Sequence, residues 1–115
     1  MTGAQDAYHH GVVGESYPAG AGWVVAARGE LDQDTLGPLE EALVSAADGH
    51  LVVVLDAGSI TFGDSSFLNL LLRMHQLTTL RIAAPGEQLS RLFALTGADT
   101  VLSLYPSVEG ALAGS

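Results

Sequence analysis

Short apolar runs along the chain alternate with longer segments in which apolar residues recur every three or four positions. A candidate first strand at residues 10–16 and an apolar, partly β-branched stretch at residues 23–28 flank a segment rich in turn residues, which predicts an antiparallel hairpin if the two strands pair. Residues 51–55 form an unbroken apolar run rich in valine, which is typical of a central strand covered on both faces. Two further strands are predicted at residues 80–84 and 100–104.

Helical spacing predicts four helices among these strands. The first follows Asp32 or Asp34, either of which can cap it because a short carboxylate accepts unpaired backbone N–H groups. Gly49 closes this helix, and the other three are predicted at residues 65–77, 87–96 and 107–113. Residues 1–9 are expected to form a flexible lead-in, and one domain is expected over residues 10–115. The order ββαβαβαβα predicts an α/β fold with a mixed, mostly parallel sheet of four to five strands.

The composition supports a folded, acidic domain. Apolar residues make up 48% of the 115 residues and charged residues 15%, which is the opposite of the balance found in disordered chains. The net charge is −9, with 13 acidic residues, four arginines and no lysine, so we expect neither nucleic acid nor anionic membrane surfaces as partners. A basic protein partner is favoured. The absence of cysteine, of a secretory signal and of a long apolar run fits a cytoplasmic protein.

The usual signatures of catalysis and metal binding are missing from the sequence. The histidines His9, His10, His50 and His75 lack ligand spacing, so no metal site is expected. Ser65 has no predicted histidine partner and does not lie in a Gly-x-Ser-x-Gly elbow. The glycines form no phosphate-binding motif. We therefore expect a binding protein rather than an enzyme, without a cofactor of its own.

The most informative segment is residues 56–66, which follows the predicted central strand and opens the second helix. Open α/β sheets place functional loops at this carboxyl edge. A serine at a helix start can cap the helix, and the same position favours a phosphate once the serine is modified. Because Asp-Ser-Ser is also common capping chemistry, the local spacing alone leaves both a structural and a regulatory role open.

Two motifs in this order resemble the bacterial STAS family of anti-sigma factor antagonists. The segment Ser-Ile-Thr-Phe-Gly-Asp-Ser-Ser at residues 59–66 is similar to the family signature, and Gly-Glu-Leu-Asp at residues 29–32 is similar to its second motif. The resemblance implies that Ser65 accepts a phosphate and that Asp64 helps to position it. It also implies that a partner binds at Ser66 and at the loop formed by Glu30, Leu31 and Asp32.

The resemblance further implies two protein partners. An anti-sigma factor serine kinase would bind the unmodified chain and phosphorylate Ser65, which releases it, and a serine phosphatase would restore the unmodified form. ATP and the catalytic groups would belong to the kinase. The alternative is a STAS domain that does not switch, as a structural subunit beside the ATPase of a lipid-transport complex or in a stress-signalling scaffold.

Phe67 departs from the family pattern, which commonly has glycine after the serine pair. Glycine lets another backbone approach closely, whereas a phenylalanine ring fills that space. The predicted helix at residues 65–77 is apolar on nearly all sides. Phe67 is therefore expected either to be buried by the fold itself or to lie in an exposed apolar strip that contacts the partner.

Overall fold

The computed structural model describes residues 11–114, in which a five-stranded sheet is flanked by helices. The strands are β1 (Val13–Ala19), β2 (Gly22–Leu31), β3 (Val52–Gly63), β4 (Thr79–Ala83) and β5 (Ser103–Tyr105). The helices are α1 (Gly37–Gly49), α2 (Ser65–Leu77), α3 (Glu87–Thr96) and α4 (Val108–Ala113), with a 3-10 turn at Ala98–Thr100. The predicted order ββαβαβαβα is confirmed. The lead-in expected at residues 1–9 lies outside the described residues.

The strands lie side by side in the order β1-β2-β3-β4-β5. β1 pairs antiparallel with β2, and all other neighbouring strands are parallel. β3 is thus the central strand, and its residues Val53, Val54 and Leu55 are fully buried, as the unbroken apolar run predicts. Since parallel strands share a direction, β2 to β5 all end at one edge of the sheet, which we call the carboxyl edge. The opposite side is the amino edge.

Apolar residues are buried on both faces of the sheet. The larger core is formed with residues of α1, α2 and α3 and includes Leu39, Leu71 and Phe93. On the other face, Val24, Val54 and Ala83 pack with Ala111 of the short helix α4. Within residues 11–114 no helix combines the length and the apolar character needed to cross a bilayer.

Two strands extend further than the sequence predicts. β2 continues to Leu31 and β3 to Gly63, so the whole of residues 56–63, which is expected to be a loop after the central strand, is strand. The reason is non-local, because parallel pairing between the two strands continues up to Leu31 and Gly63 and satisfies their backbone groups. β1 begins at Val13 instead of residue 10 and continues to Ala19, which leaves a tight turn at Gly20 with a φ of 58°.

The start of α1 also differs from the prediction. Its N-cap is Leu36, which makes no side-chain capping hydrogen bond, and Pro38 lies in the first turn. The Oδ1 atom of Asp32 instead accepts hydrogen bonds from the backbone N–H groups of Asp34 and Thr35, at 2.9 and 3.0 Å. Asp32 therefore stabilises the turn before the helix rather than the helix itself.

Candidate functional site

The carboxyl edge brings together two motifs that are about thirty residues apart in the sequence. In the parallel pairing of β2 and β3, Glu30 lies opposite Phe62, and Leu31 lies opposite Gly63. The backbone N–H of Asp64 then donates to the carbonyl of Leu31, at 3.2 Å. The loop that follows β2 and the start of α2 are thus neighbours, because the strands before them are directly hydrogen-bonded.

Asp64 is the N-cap of α2. Its Oδ1 atom accepts from the backbone N–H groups of Ser66 at 2.9 Å and Phe67 at 3.1 Å. Its backbone carbonyl accepts from the N–H of Leu68 at 3.0 Å, so both the carboxylate and the carbonyl of Asp64 bind the first turn of α2. Asp64 therefore positions Ser65 through the backbone of the helix, by fixing the turn in which Ser65 lies.

Ser65 is the first residue of α2 and its side chain is exposed. The capping role that the sequence also allowed for this serine belongs to Asp64. Across residues 11–114, the Ser65 hydroxyl makes no hydrogen bond. Ser66 beside it is half-buried. The exposed hydroxyl can thus be modified without breaking an existing contact of the fold.

A phosphate on Ser65 would not meet an open helix start. The N–H groups of Ser66 and Phe67, which would otherwise attract an anion, already bind the Asp64 carboxylate. The phosphate would lie beside this carboxylate and face solvent. The arrangement therefore favours a modification that changes the charge of the surface over one that reorganises the helix.

The loop after β2 is held by its own hydrogen bonds. The Thr35 hydroxyl donates to the carbonyl of Glu30 at 2.8 Å, and it accepts from the backbone N–H of Asp32 at 2.9 Å. The Asp32 carboxylate in turn accepts from the backbone N–H groups of Asp34 and Thr35, as described above. Thr35 is a positioning residue that the sequence analysis missed. Its signal is the spacing Asp-x-x-Thr, which is typical of local side-chain to backbone hydrogen bonding.

Two of the residues considered for partner binding have side chains that are buried in this structure. Leu31 and Phe67 are both 0% exposed and belong to the main core. Leu31 points inward because the parallel ladder with β3 continues through it and fixes its orientation. Of the remaining loop residues, Glu30 is exposed and Asp32 is half-buried.

Phe67 is buried because its ring occupies the space next to Gly63. A Cβ atom built on Gly63 would overlap the ring, lying 3.0 Å from its Cε2 atom, and would lie 3.2 Å from Leu89 Cδ2. The alternative in which α2 is buried by the fold itself is therefore correct for Phe67. The ring lies in the core and leaves the surface around Ser65 uncovered.

Phe62 is the apolar residue that the edge does expose. It is 41% exposed, between the buried residues Ile60 and Gly63, and its register partner is the exposed Glu30. The sequence contains this phenylalanine as part of the signature. Its exposure depends on the extension of β3, which no local pattern predicts.

The charges at this edge are predominantly negative. Glu30, Asp32, Asp34 and Asp64 lie within it. Arg73 pairs with Glu40 and Arg91 with Glu87, while Arg81 and Arg28 donate to the carbonyls of Ala111 and Gly11. In the part of the chain that is described, no group of three or more histidines and carboxylates is arranged to hold a metal ion.

Comparison with solved structures identifies anti-sigma factor antagonists as similar proteins. The antagonist from Mycobacterium paratuberculosis shares 28% sequence identity, with a TM-score of 0.79 over 87% of this chain and 90% of that one. SpoIIAA in its unphosphorylated form is 19% identical, with a TM-score of 0.68 over 85% and 91%. Bacillus SpoIIAA in its phosphorylated form is 16% identical, with a TM-score of 0.66 over 87% and 96%. The last two show likeness of fold.

A family model described as "Mlab, STAS domain" matches residues 18–105, which includes both motifs and all five strands in whole or in part. No curated protein sequence matches the chain significantly. The match covers well over half of the chain and agrees with the resemblance carried by the two motifs. The chain belongs to the STAS domain family.

Proposed function

We propose that this chain is an anti-sigma factor antagonist whose binding to an anti-sigma serine kinase is switched off by phosphorylation of Ser65. The observation that carries the proposal is that Asp64 and Ser65 have different roles at the start of α2. Asp64 caps the helix, which leaves the Ser65 hydroxyl exposed and without a structural task. The similarity to the Mycobacterium paratuberculosis antagonist supports the same function.

The physical basis of the switch is charge. A phosphate adds roughly −1.5 to −2 charges at neutral pH. On Ser65 it would lie next to the Asp64 carboxylate, whose oxygen already occupies the nearest helix donors. The added charge therefore stays on the surface. There it would repel the nucleotide phosphates of a kinase that holds Ser65 near its ATP, and the complex would dissociate.

The other components of the cycle are assigned to partners. The kinase supplies ATP and the catalytic groups, so this chain acts in the cycle as a substrate and binding protein rather than as an enzyme. A serine phosphatase removes the phosphate and returns the chain to its binding form. The proposed site of action is the cytoplasm, where sigma factors and their kinases act.

The proposal is tested with purified chain, an anti-sigma kinase encoded in the same genome, and ATP. Mass spectrometry should locate one phosphate on Ser65. Ser45→Ala is the matched control, since it removes an exposed serine hydroxyl on α1, outside the proposed site, and should leave phosphorylation intact, whereas Ser65→Ala should abolish it. A kinase that binds the chain and leaves Ser65 unmodified would overturn the switch while leaving the fold assignment in place.

The second candidate is a STAS subunit that does not switch, in a lipid-transport complex or a stress-signalling scaffold. It is favoured by one observation: capping of α2 accounts for Asp64 without any regulatory role. The description of the matching family model as "Mlab, STAS domain" is a further reason to test it. In this case Ser65→Ala and Ser65→Asp would bind the partner with equal affinity.

A further inference from the structure

Phe62 is distinguished from other exposed apolar residues by its position. Within residues 11–114, six other large apolar side chains are exposed: Tyr17, Val44, Leu51, Leu77, Leu95 and Val101. They lie on the strand β1, on the surface of α1, or where helices and loops meet the amino edge. Phe62 alone among the seven lies at the carboxyl edge, three residues before Ser65.

The surroundings of Phe62 are acidic. Glu30 is its register partner across β2 and β3 and is exposed, and Asp64 follows two residues later at the start of α2. Asp34 is exposed in the loop after β2. A partially exposed ring with acidic residues at its register partner and in the adjacent loops has the composition of a protein interface, with an apolar centre and a charged rim. Aromatic residues in such centres contribute a large share of the binding energy.

We propose that Phe62 is the apolar anchor through which this edge recognises its partner, and that the partner presents an apolar recess bordered by arginine or lysine. The inference rests on the proposed function, since it takes the anti-sigma kinase as the partner. It adds the chemistry of the contact. The ring of Phe62 is buried on binding and slows dissociation, whereas Glu30 and its neighbouring carboxylates steer the basic rim of the kinase and accelerate association.

The test measures association and dissociation rates with the purified kinase by surface plasmon resonance. Phe62→Ala should weaken the affinity at least tenfold, mainly through faster dissociation. Leu77→Ala removes a more exposed apolar side chain at the amino edge and should change the affinity less than twofold. Phe62→Leu keeps part of the apolar contact, should bind with intermediate affinity, and provides the test if the alanine variant does not fold.

The effect of the Glu30 charge on the association rate is tested with the same method. Glu30→Gln should slow association severalfold at low salt, and the difference from the unaltered chain should vanish at high salt because ions screen exposed charges. Asp99→Asn makes the same change of charge in the 3-10 turn before β5, at the amino edge, and should leave association unchanged.

The outcomes separate this inference from the proposed function. If the kinase binds the unaltered chain, Phe62→Ala and Phe62→Leu with equal affinity, the anchor is contradicted and the switch at Ser65 stands. If association is insensitive to Glu30→Gln at every salt concentration, the basic rim is contradicted. If no anti-sigma kinase binds the unaltered chain, the proposed function itself fails, together with the partner named here.

Discussion

The ring of Phe67 and any side chain at position 63 would occupy the same space beneath the start of α2. The ring of Phe67 lies where a side chain at position 63 would be, and Phe67 is fully buried. The departure from the family pattern at position 67 is thus accommodated inside the fold, by the absence of a side chain at the end of β3. The surface around Ser65 remains open.

Gly63→Ala should therefore destabilise the protein by about 1–3 kcal/mol, the usual cost of overpacking a core. Gly37→Ala is the matched control, because a Cβ atom on Gly37 meets nothing within 4 Å. The free energies of unfolding are measured by chemical denaturation.

The two positions should also be coupled. In a double-mutant cycle, Phe67→Leu should remove a large part of the penalty caused by Gly63→Ala, since the smaller side chain leaves room for the added methyl group. Strictly additive effects of the two substitutions would contradict the steric overlap between a side chain at position 63 and the ring of Phe67.

Asp64→Ala should destabilise the protein by about 0.5–2 kcal/mol, the usual cost of losing an N-cap. Asp64→Asn should retain most of the stability, because an amide oxygen can accept the same bonds from Ser66 and Phe67. Thermal unfolding followed by circular dichroism distinguishes the two variants. Equal loss in both would mean that the charge of Asp64, rather than its capping geometry, stabilises α2.

Thr35→Val should loosen the loop after β2 without unfolding the domain. The variant keeps the shape of the side chain and removes the hydroxyl that bridges the Glu30 carbonyl and the Asp32 N–H. Hydrogen exchange should then accelerate at the backbone amides of Asp32 and Thr35, while amides of β3 stay protected. Unchanged exchange in the loop would show that Thr35 does not hold it.

The parts of the fold that the sequence predicts well are those governed by local signals. The bounds of α2 and α3 agree with the prediction at both ends, because helical periodicity runs up to clear stop signals such as Gly97, which has a φ of 79°. The central position of β3 follows from its unbroken apolar run.

The remaining features depend on contacts between distant segments. The extension of β3 to Gly63 is stabilised by pairing with β2, and the same pairing buries Leu31 and leaves Phe62 exposed. α2 is apolar on nearly all sides, so periodicity alone could not decide whether Phe67 faces the core or a partner. Its orientation follows from the space beside Gly63, which only the folded chain reveals.

The measurement that tests the central claim most directly compares the affinities of Ser65→Ala and Ser65→Asp for the anti-sigma kinase. Both substitutions are expected to leave the stability within about 0.5 kcal/mol, because the hydroxyl is exposed and makes no hydrogen bond within the described residues. Ser65→Ala should bind the kinase persistently in the presence of ATP, and Ser65→Asp should bind weakly. Equal affinities of two folded variants would contradict control of binding by charge at Ser65.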